Sequence, residues 1–453
     1  MAQKLGQERG VEHLFGIGYR FGPAGSNQYF ADLLVSFLNL PTQQTFVFGQ
    51  VVQLDALPGR FELLQVAADG GGEQALRMAQ DDLDALIVRA PDNVLYLTDY
   101  WCMKGYDIAI FPREGEPTLC VIEPQYREAQ RAAWTKDVRF FRFYHPSDPR
   151  PPTLRATDLA LEVLRERKLT GKIGIELQQG SQICDRMVGE PTVFTQGYFD
   201  AFRGAARQVV DCAALLAEVR MIKTPQEIAR MRLANELAAL GMEYAKENIR
   251  VGMKESEVGA MIEGHIHAVG VGYKGQVEMA RAFTLVWSGP GIATFTATSH
   301  RPIVADEPTL VEIWVCADGY WTDLTKNIAP TGKLTARYNK LLDQLLAMLN
   351  EAAGIARHGA PLGEIDRLLR RRIDEAGYAG QPSHPVCHGV GARAHEPPFA
   401  HAAAPGAIQQ GMVLAIEPGI YWEGGGGLRL EDNWLITESG NEKLCSYPDD
   451  FRF

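Results

Sequence analysis

The 453 residues carry 45 Lys+Arg against 56 Asp+Glu, and the resulting net charge of −11 repels phosphate backbones and anionic lipid headgroups, so neither nucleic acid nor a membrane surface is an expected partner. With 46% hydrophobic and 22% charged residues the chain is neither disordered nor a coiled coil. At about 150 residues per domain, one core is too few for this length.

No apolar stretch reaches the roughly 18 to 20 residues of a membrane span, and Met1-Ala2-Gln3-Lys4-Leu5-Gly6 begins no hydrophobic signal core, so a cytoplasmic location is expected. Cys102, Cys120, Cys184, Cys212, Cys316, Cys387 and Cys445 form no Cys-x-x-Cys pair and fit reduced thiols. Residues 1–62, punctuated at Phe21-Gly22-Pro23-Ala24-Gly25, read as an N-terminal extension without an assignable role. From Glu73 a helical stretch leads to Leu83-Asp84-Ala85-Leu86-Ile87-Val88, a buried strand by its continuous apolar text. A turn at Pro91-Asp92-Asn93 then predicts strands at Val94–Leu97, Ile108–Phe111 and Leu119–Ile122. A helix over 154–168 and a strand at Ile173-Gly174-Ile175 continue the alternation, which describes an α/β domain over 63–218. Thr224, Pro225 and Glu227 then open a long helix with apolar positions near a 3.6 period, Gly252 stops it, and a second helix starts at Glu255. The second domain is placed at 219–453.

In that half, Leu310–Val315 and Tyr320–Leu324 flank Ala317-Asp318-Gly319, a strong hairpin signal. The period of two puts Glu312 and Asp323 on one face, where like charges are unfavourable unless exposed, protonated or bridged by a cation. His384-Pro385-Val386-Cys387-His388-Gly389-Val390-Gly391 adds imidazoles beside glycines that permit close backbone approach, and His395-Glu396-Pro397-Pro398 follows. Val413-Leu414-Ala415-Ile416-Glu417 ends an apolar strand on a carboxylate. Alternation through Leu428-Arg429-Leu430-Glu431-Asp432-Asn433 gives Arg429, Glu431 and Asn433 one common face. One histidine and four carboxylates on strands make a mainly oxygen-ligand set suited to a pair of divalent ions, Mn, Co, Fe or Zn. The Arg367, Arg370, Arg371 and Arg372 cluster reads as a solvated helix face, and Gly424–Gly427 as a flexible turn rather than a phosphate loop.

Taken in order, His388-Gly389-Val390-Gly391, His395-Glu396-x-Pro398, Ile416-Glu417-Pro418-Gly419 and Arg429-Leu430-Glu431-Asp432 resemble the signature of the pita-bread family of creatinase, prolidase, aminopeptidase P and methionine aminopeptidase. Glu312 and Asp323, eleven apart, match the spacing of that family's two aspartate ligands, while Asn93–Thr98 and Val219–Lys223 resemble its N-terminal domain and domain junction. The resemblance implies a creatinase-like α/β domain followed by a pita-bread catalytic domain. It implies metal ligation by Asp323, His388, Glu417 and Glu431, with Glu312 in the place of the first aspartate. Two departures stand out. Glutamate replaces aspartate at 312 and Trp314 replaces a small glycine, while the residue seven past Gly289 is Thr296 rather than histidine, the nearest histidine being His300.

The implied chemistry is hydrolysis of a C–N amide bond in a small molecule or short peptide, by default an Xaa-Pro substrate. Glu417 would relay the proton, His395 would stabilise the developing oxyanion, and His388 would complete the catalytic set. His384, Arg429, Trp314, Thr296 and His300 are the expected substrate contacts, and a homodimer is the expected assembly. The departures keep two alternatives open, a creatinase-like or dimethylsulfoniopropionate-lyase-like enzyme, and a catalytically inactive binding protein.

Overall fold

The run Ala85-Leu86-Ile87-Val88 is apolar throughout because the strand it forms, β1 (Ala85–Val88), is covered on both faces. Leu86 and Val88 join the cluster that holds Leu119, Val121 and Leu216, whereas Ala85 and Ile87 join Val163, Leu164 and Phe202. The computed structural model describes residues 73–452 apart from 103, 104, 144, 149, 179–193, 294, 295 and 423, so the extension expected over 1–62 and Cys184 lie outside the described residues. The six described cysteines are buried free thiols.

Helix α1 (Glu73–Gln80) precedes β1 and helix α2 (Pro91–Thr98) follows it. The strand predicted at Val94–Leu97 is therefore corrected to a helix. Pro91 and Asp92 stand in its first turn and Asp99 closes it in the left-handed region at φ 61°. Asp92 through Thr98 are all buried, so this helix lacks the polar face from which a 3.6 period is read. Next come β2 (Ile108–Pro112), β3 (Thr118–Ile122), α3 (Tyr126–Ala132), β4 (Asp137–Phe141) and α4 (Pro152–Glu166). They are followed by β5 (Lys172–Ile175), α5 (Gln196–Ala205), β6 (Gln208–Asp211) and α6 (Ala213–Met221). The strands make one mixed sheet in the order β4-β3-β2-β1-β5-β6.

Thr224 opens α7 (Pro225–Asn248) with a reciprocal cap, its hydroxyl accepting from the Glu227 amide while Glu227 accepts from the Thr224 amide at 2.9 Å. Helix α8 (Glu255–Gly270) packs on β7 (Ala280–Ser288), and α7 packs on β8 (Thr309–Ala317). The expected hairpin forms with Asp318 and Gly319, both at positive φ (47° and 87°), as its two-residue turn. Its second arm is split into β9 (Tyr320–Trp321) and β10 (Leu324–Ile328). Helices α9 (Ala336–Ile355) and α10 (Glu364–Glu375) cover a second sheet made of β11 (Cys387–Gly389), β12 (Glu396–Phe399), β13 (Val413–Ile416), β16 (Asp432–Ile436) and β17 (Asn441–Lys443). Between β13 and β16 the chain makes a separate ribbon, β14 (Gly419–Trp422) with β15 (Gly426–Arg429). The expected single strand through Leu428–Asn433 is thus broken at Leu430-Glu431, although its alternation survives, with Leu428 and Leu430 in the apolar core. No described helix is long and apolar enough to cross a membrane.

Candidate active site

The break between β9 and β10 places Asp323 at the meeting point of the two C-terminal sheets. The Asn433 side chain holds that corner from β16, its amide donating to the Asp323 carbonyl at 2.7 Å while its oxygen accepts from the Asp323 amide at 3.2 Å. His388 sits mid-strand on β11 between Ala415 and Phe399, with Nδ1 2.9 Å from the Gly389 carbonyl, so Nε2 faces the site. Glycine is required beside it, because a β-carbon on Gly389 would lie 2.3 Å from the Pro397 carbonyl oxygen. Glu417 follows β13 directly, anchored by its amide to the Val386 carbonyl at 2.9 Å. Glu431 stands between β15 and β16 and accepts from the Thr325 hydroxyl at 2.7 Å.

His388 Nε2 is the focus of the cluster. It lies 3.6 Å from Asp323 Oδ2 and 3.5 Å from Glu417 Oε1, and His395 Nε2 is 3.3 Å from Asp323 Oδ2. Such separations suit donors that share an ion better than donors that bond one another. Asp323, His388 and His395 form one group able to hold a metal, and His388, Glu417 and Glu431 form another. Asp323 Oδ2 and His388 Nε2 are buried without a hydrogen-bond partner among the described residues, which is costly unless a further partner binds there. A divalent cation fits these two atoms in chemistry and charge.

The electrostatics agree. Burial, with the charges of Glu431, Glu312 and Glu417 added, pushes the Asp323 carboxyl well above the usual range, and burial with Glu417 pushes Glu431 up to about 8. Glu417 goes the other way: burial would raise it, but the adjacent His384 and His388 outweigh that and hold it near about 2. Burial lowers His384, whereas the Glu417 carboxylate more than offsets burial at His388 and raises it. Buried carboxyls whose ionisation is opposed by one another in this way mark where a cation belongs.

The remaining predicted residues divide. His384 joins the site, with Nδ1 3.3 Å from Glu417 Oε2 and Nε2 2.9 Å from the Tyr421 hydroxyl. Trp314 is buried nearby, its ring 6.4 Å from that of His395 and 5.5 Å from the half-exposed Phe283. Arg429 is buried, donates to Thr325 at 2.6 Å and forms an ion pair with Glu312 at 2.7 Å. Glu312 belongs to neither donor group. Thr296 and His300 are exposed on the loop after β7, where Thr296 is engaged by Trp287 and Arg301, and neither enters the donor groups.

Sequence reasoning missed Tyr421, concealed in the apolar text Ile420-Tyr421-Trp422, and it missed Thr325. It also missed the charged network behind His395. Glu396 accepts from Arg220 at 2.5 Å and pairs with Lys223 at 2.9 Å, while Asp92 on α2 pairs with Arg220 and with Arg393 at 2.7 Å. Gly391 makes room for this, since a β-carbon there would sit 2.3 Å from Glu396 Oε1. The signal was present in Val219-Arg220-Met221-Ile222-Lys223, where two cations interrupt an apolar run.

Residues 229–438 match the model of metallopeptidase family M24, and residues 75–222 match that of the creatinase/prolidase N-terminal domain. An uncharacterized peptidase of Staphylococcus haemolyticus is 32% identical over 82% of this chain and 97% of its own length. A Xaa-Pro dipeptidase of Pyrococcus furiosus is 26% identical over 81% of this chain and 94% of its own. The solved structure of a prolidase from Pyrococcus furiosus superposes with a TM-score of 0.65 at 25% identity, covering 82% of this chain and 98% of that one.

Proposed function

Because the chain belongs to metallopeptidase family M24 and is therefore a metallohydrolase, we propose that it cleaves the amide bond of short Xaa-Pro peptides, using a divalent metal held by Asp323, His388, Glu417 and Glu431. The observation that carries this reading is the meeting of two donor groups at His388, Asp323 with His395 on one side and Glu417 with Glu431 on the other, where Asp323 Oδ2 and His388 Nε2 are buried without a hydrogen bond among the described residues. Carboxylate and imidazole donors suit Mn, Co, Fe or Zn. When bound, the ion would supply Lewis acidity and lower the pKa of a coordinated water.

The protein's own groups have distinct tasks. Glu417, ionised at neutral pH and flanked by His384 and His388, accepts the proton of the attacking water and returns it to the departing nitrogen. His395, with a third of its side chain exposed, faces the open side and donates to the oxygen that gains charge at the scissile carbonyl. Trp314 and Phe283 present an apolar wall suited to a proline ring. The N-terminal α/β half, tied to this region through Asp92, limits the length of chain that can enter.

A panel of Xaa-Pro and Xaa-Ala dipeptides, run in ¹⁸O water with metal-loaded protein, tests the proposal. The expected result is turnover of Xaa-Pro with one solvent oxygen in the new carboxylate. An unsaturated product, or turnover without solvent oxygen, would point to elimination and defeat it.

A further inference from the structure

The register that pairs Ile313 with Leu324 and Cys316 with Trp321 also sets Trp314 across from Asp323, and Phe283 pairs with Trp314 from β7. Two residues along, Leu285, Glu312 and Thr325 form the next row on the same face of the same three strands. Both rows lie on the face that carries Asp323, because side chains alternate along a strand. Arg429 covers the second row. Its Nε donates to Thr325 at 2.6 Å, its Nη2 reaches Glu312 at 2.7 Å, and Glu431 stands 3.8 Å from Nε. The guanidinium is buried, so the Glu312 carboxylate already has a permanent cation 2.7 Å away.

The two donor groups share His388, each through a ring nitrogen. The Nδ1 atom is turned to the Gly389 carbonyl, which leaves Nε2 as the ligand atom for both. An imidazole nitrogen has one lone pair and binds one ion, so an ion that takes His388 in one group leaves the other group without it. A second ion could share bridging carboxylate oxygens with the first but would still need a carboxylate of its own. Glu312 is the residue at the matching spacing, and it is turned to Arg429. The indole of Trp314 is buried directly across from Asp323, where the family resemblance places a small glycine.

We propose that this enzyme holds one divalent ion per chain, bound by Asp323, His388, Glu417 and Glu431, and that Glu312 is a positioning residue which fixes Arg429 rather than a metal ligand. The inference rests on the site being a metal centre. Arg429 in turn is aimed at Thr325 and Glu431, so Glu312 orients the ligand Glu431 through it.

The experiment is metal stoichiometry on the full chain. Metal-free protein is titrated with Mn²⁺ by calorimetry, the equivalents are counted by elemental analysis, and the loaded protein is examined by electron paramagnetic resonance. The expected result is one equivalent, with the six-line spectrum of an isolated ion. Two equivalents with an exchange-coupled spectrum would overturn the proposal. No binding at all would overturn both it and the metal reading beneath it, and the two failures are thereby distinct. Glu312→Gln, which keeps an oxygen for Arg429, should retain the single equivalent with a Kd within about threefold of the parent, whereas Glu431→Gln should weaken binding by at least about tenfold. Loss of one of two equivalents in Glu312→Gln would show Glu312 to be a ligand.

Discussion

Replacing Arg220 by methionine tests the buried ionic network against a specific charge count. Asp92 and Glu396 supply two carboxylates, and Arg220, Arg393 and Lys223 supply three cations. In the Arg220→Met variant each carboxylate keeps one cation, Asp92 with Arg393 at 2.7 Å and Glu396 with Lys223 at 2.9 Å. No charge is orphaned. What is lost are the bonds from Arg220 to Asp92, to Asn93 at 2.7 Å and to Glu396 at 2.5 Å, offset in part by relief of its desolvation. At about 1.5–3 kcal/mol for a charge-assisted bond, less that relief, the net cost should be about 2–3 kcal/mol. Asp92→Asn removes one carboxylate and leaves three cations facing Glu396 alone, so it should cost more, about 3–5 kcal/mol. Urea unfolding followed by circular dichroism measures both. Because Glu396 adjoins His395, Arg220→Met should also lower kcat severalfold while KM changes less. If Arg220→Met destabilises as much as Asp92→Asn, or if both fall within about 0.5 kcal/mol of the parent, the buried network does not act as described.

Glu417→Gln should keep the fold and lower kcat by at least about 10²-fold, because an amide cannot carry the proton; comparable kcat with intact metal would remove Glu417 from that role. His395→Ala should reduce kcat more than it raises KM, since a bond made in the transition state leaves ground-state binding alone, and steady-state kinetics on an Xaa-Pro dipeptide decides it. Chelation should abolish turnover and lower the melting temperature; an ion present at 100 times its Kd contributes about 2.7 kcal/mol, so a chelator-indifferent calorimetric trace would contradict the metal centre. The pH dependence of stability should have two limbs. Burial opposes ionisation of Asp92 and Glu396, but Arg393 with Arg220 in one case and Lys223 with Arg220 in the other hold both below the usual range, so their contribution is present above about pH 4 and is lost as pH falls through their folded values. Glu176, raised by burial to about 7, contributes below its ordinary range and loses that contribution as pH rises through about 7. Glu176→Gln should therefore flatten the alkaline limb in denaturation curves and leave the acid limb intact.

Much of the site was legible because its residues lie on strands, where a period of two decides the face. Glu312 and Asp323 do share one, as the hairpin register requires, and Arg429, Glu431 and Asn433 are buried together despite the break at Leu430-Glu431. A face does not name a partner, however. The spacing from Glu312 to Asp323 says that the two carboxylates are near, and nothing in it says that Arg429, more than a hundred residues later, takes Glu312 for itself. The same limit hid the role of Arg220 and Lys223, whose partners Asp92 and Glu396 come from opposite ends of the chain. The misread helix α2 has another cause. Seven of its eight residues are buried, so its text carries no polar side, and burial on all faces erases the pattern that separates a helix from a strand.

The distribution of buried charge around the site explains where reactivity is left. Asp432 is matched by Lys326 at 2.5 Å and Lys443 at 3.2 Å, which bind β16 to β10 and to the C-terminal segment. Glu396 is matched by Arg220 and Lys223, and Glu312 by Arg429. Each of these acids has a fixed cation within hydrogen-bond reach, and a buried carboxylate so neutralised has little reason to attract a further one. Asp323, Glu417 and Glu431 differ. Their nearest charged neighbours are histidines, or an arginine already committed 2.7 Å away to Glu312, and the histidines themselves are natural ligands. The fold thus compensates these three acids with side chains and withholds such compensation beside His388 Nε2. Filling that point with a fixed lysine or arginine would stabilise the apoprotein and leave no place for an ion, so the excess of buried negative charge there is retained for binding rather than for stability.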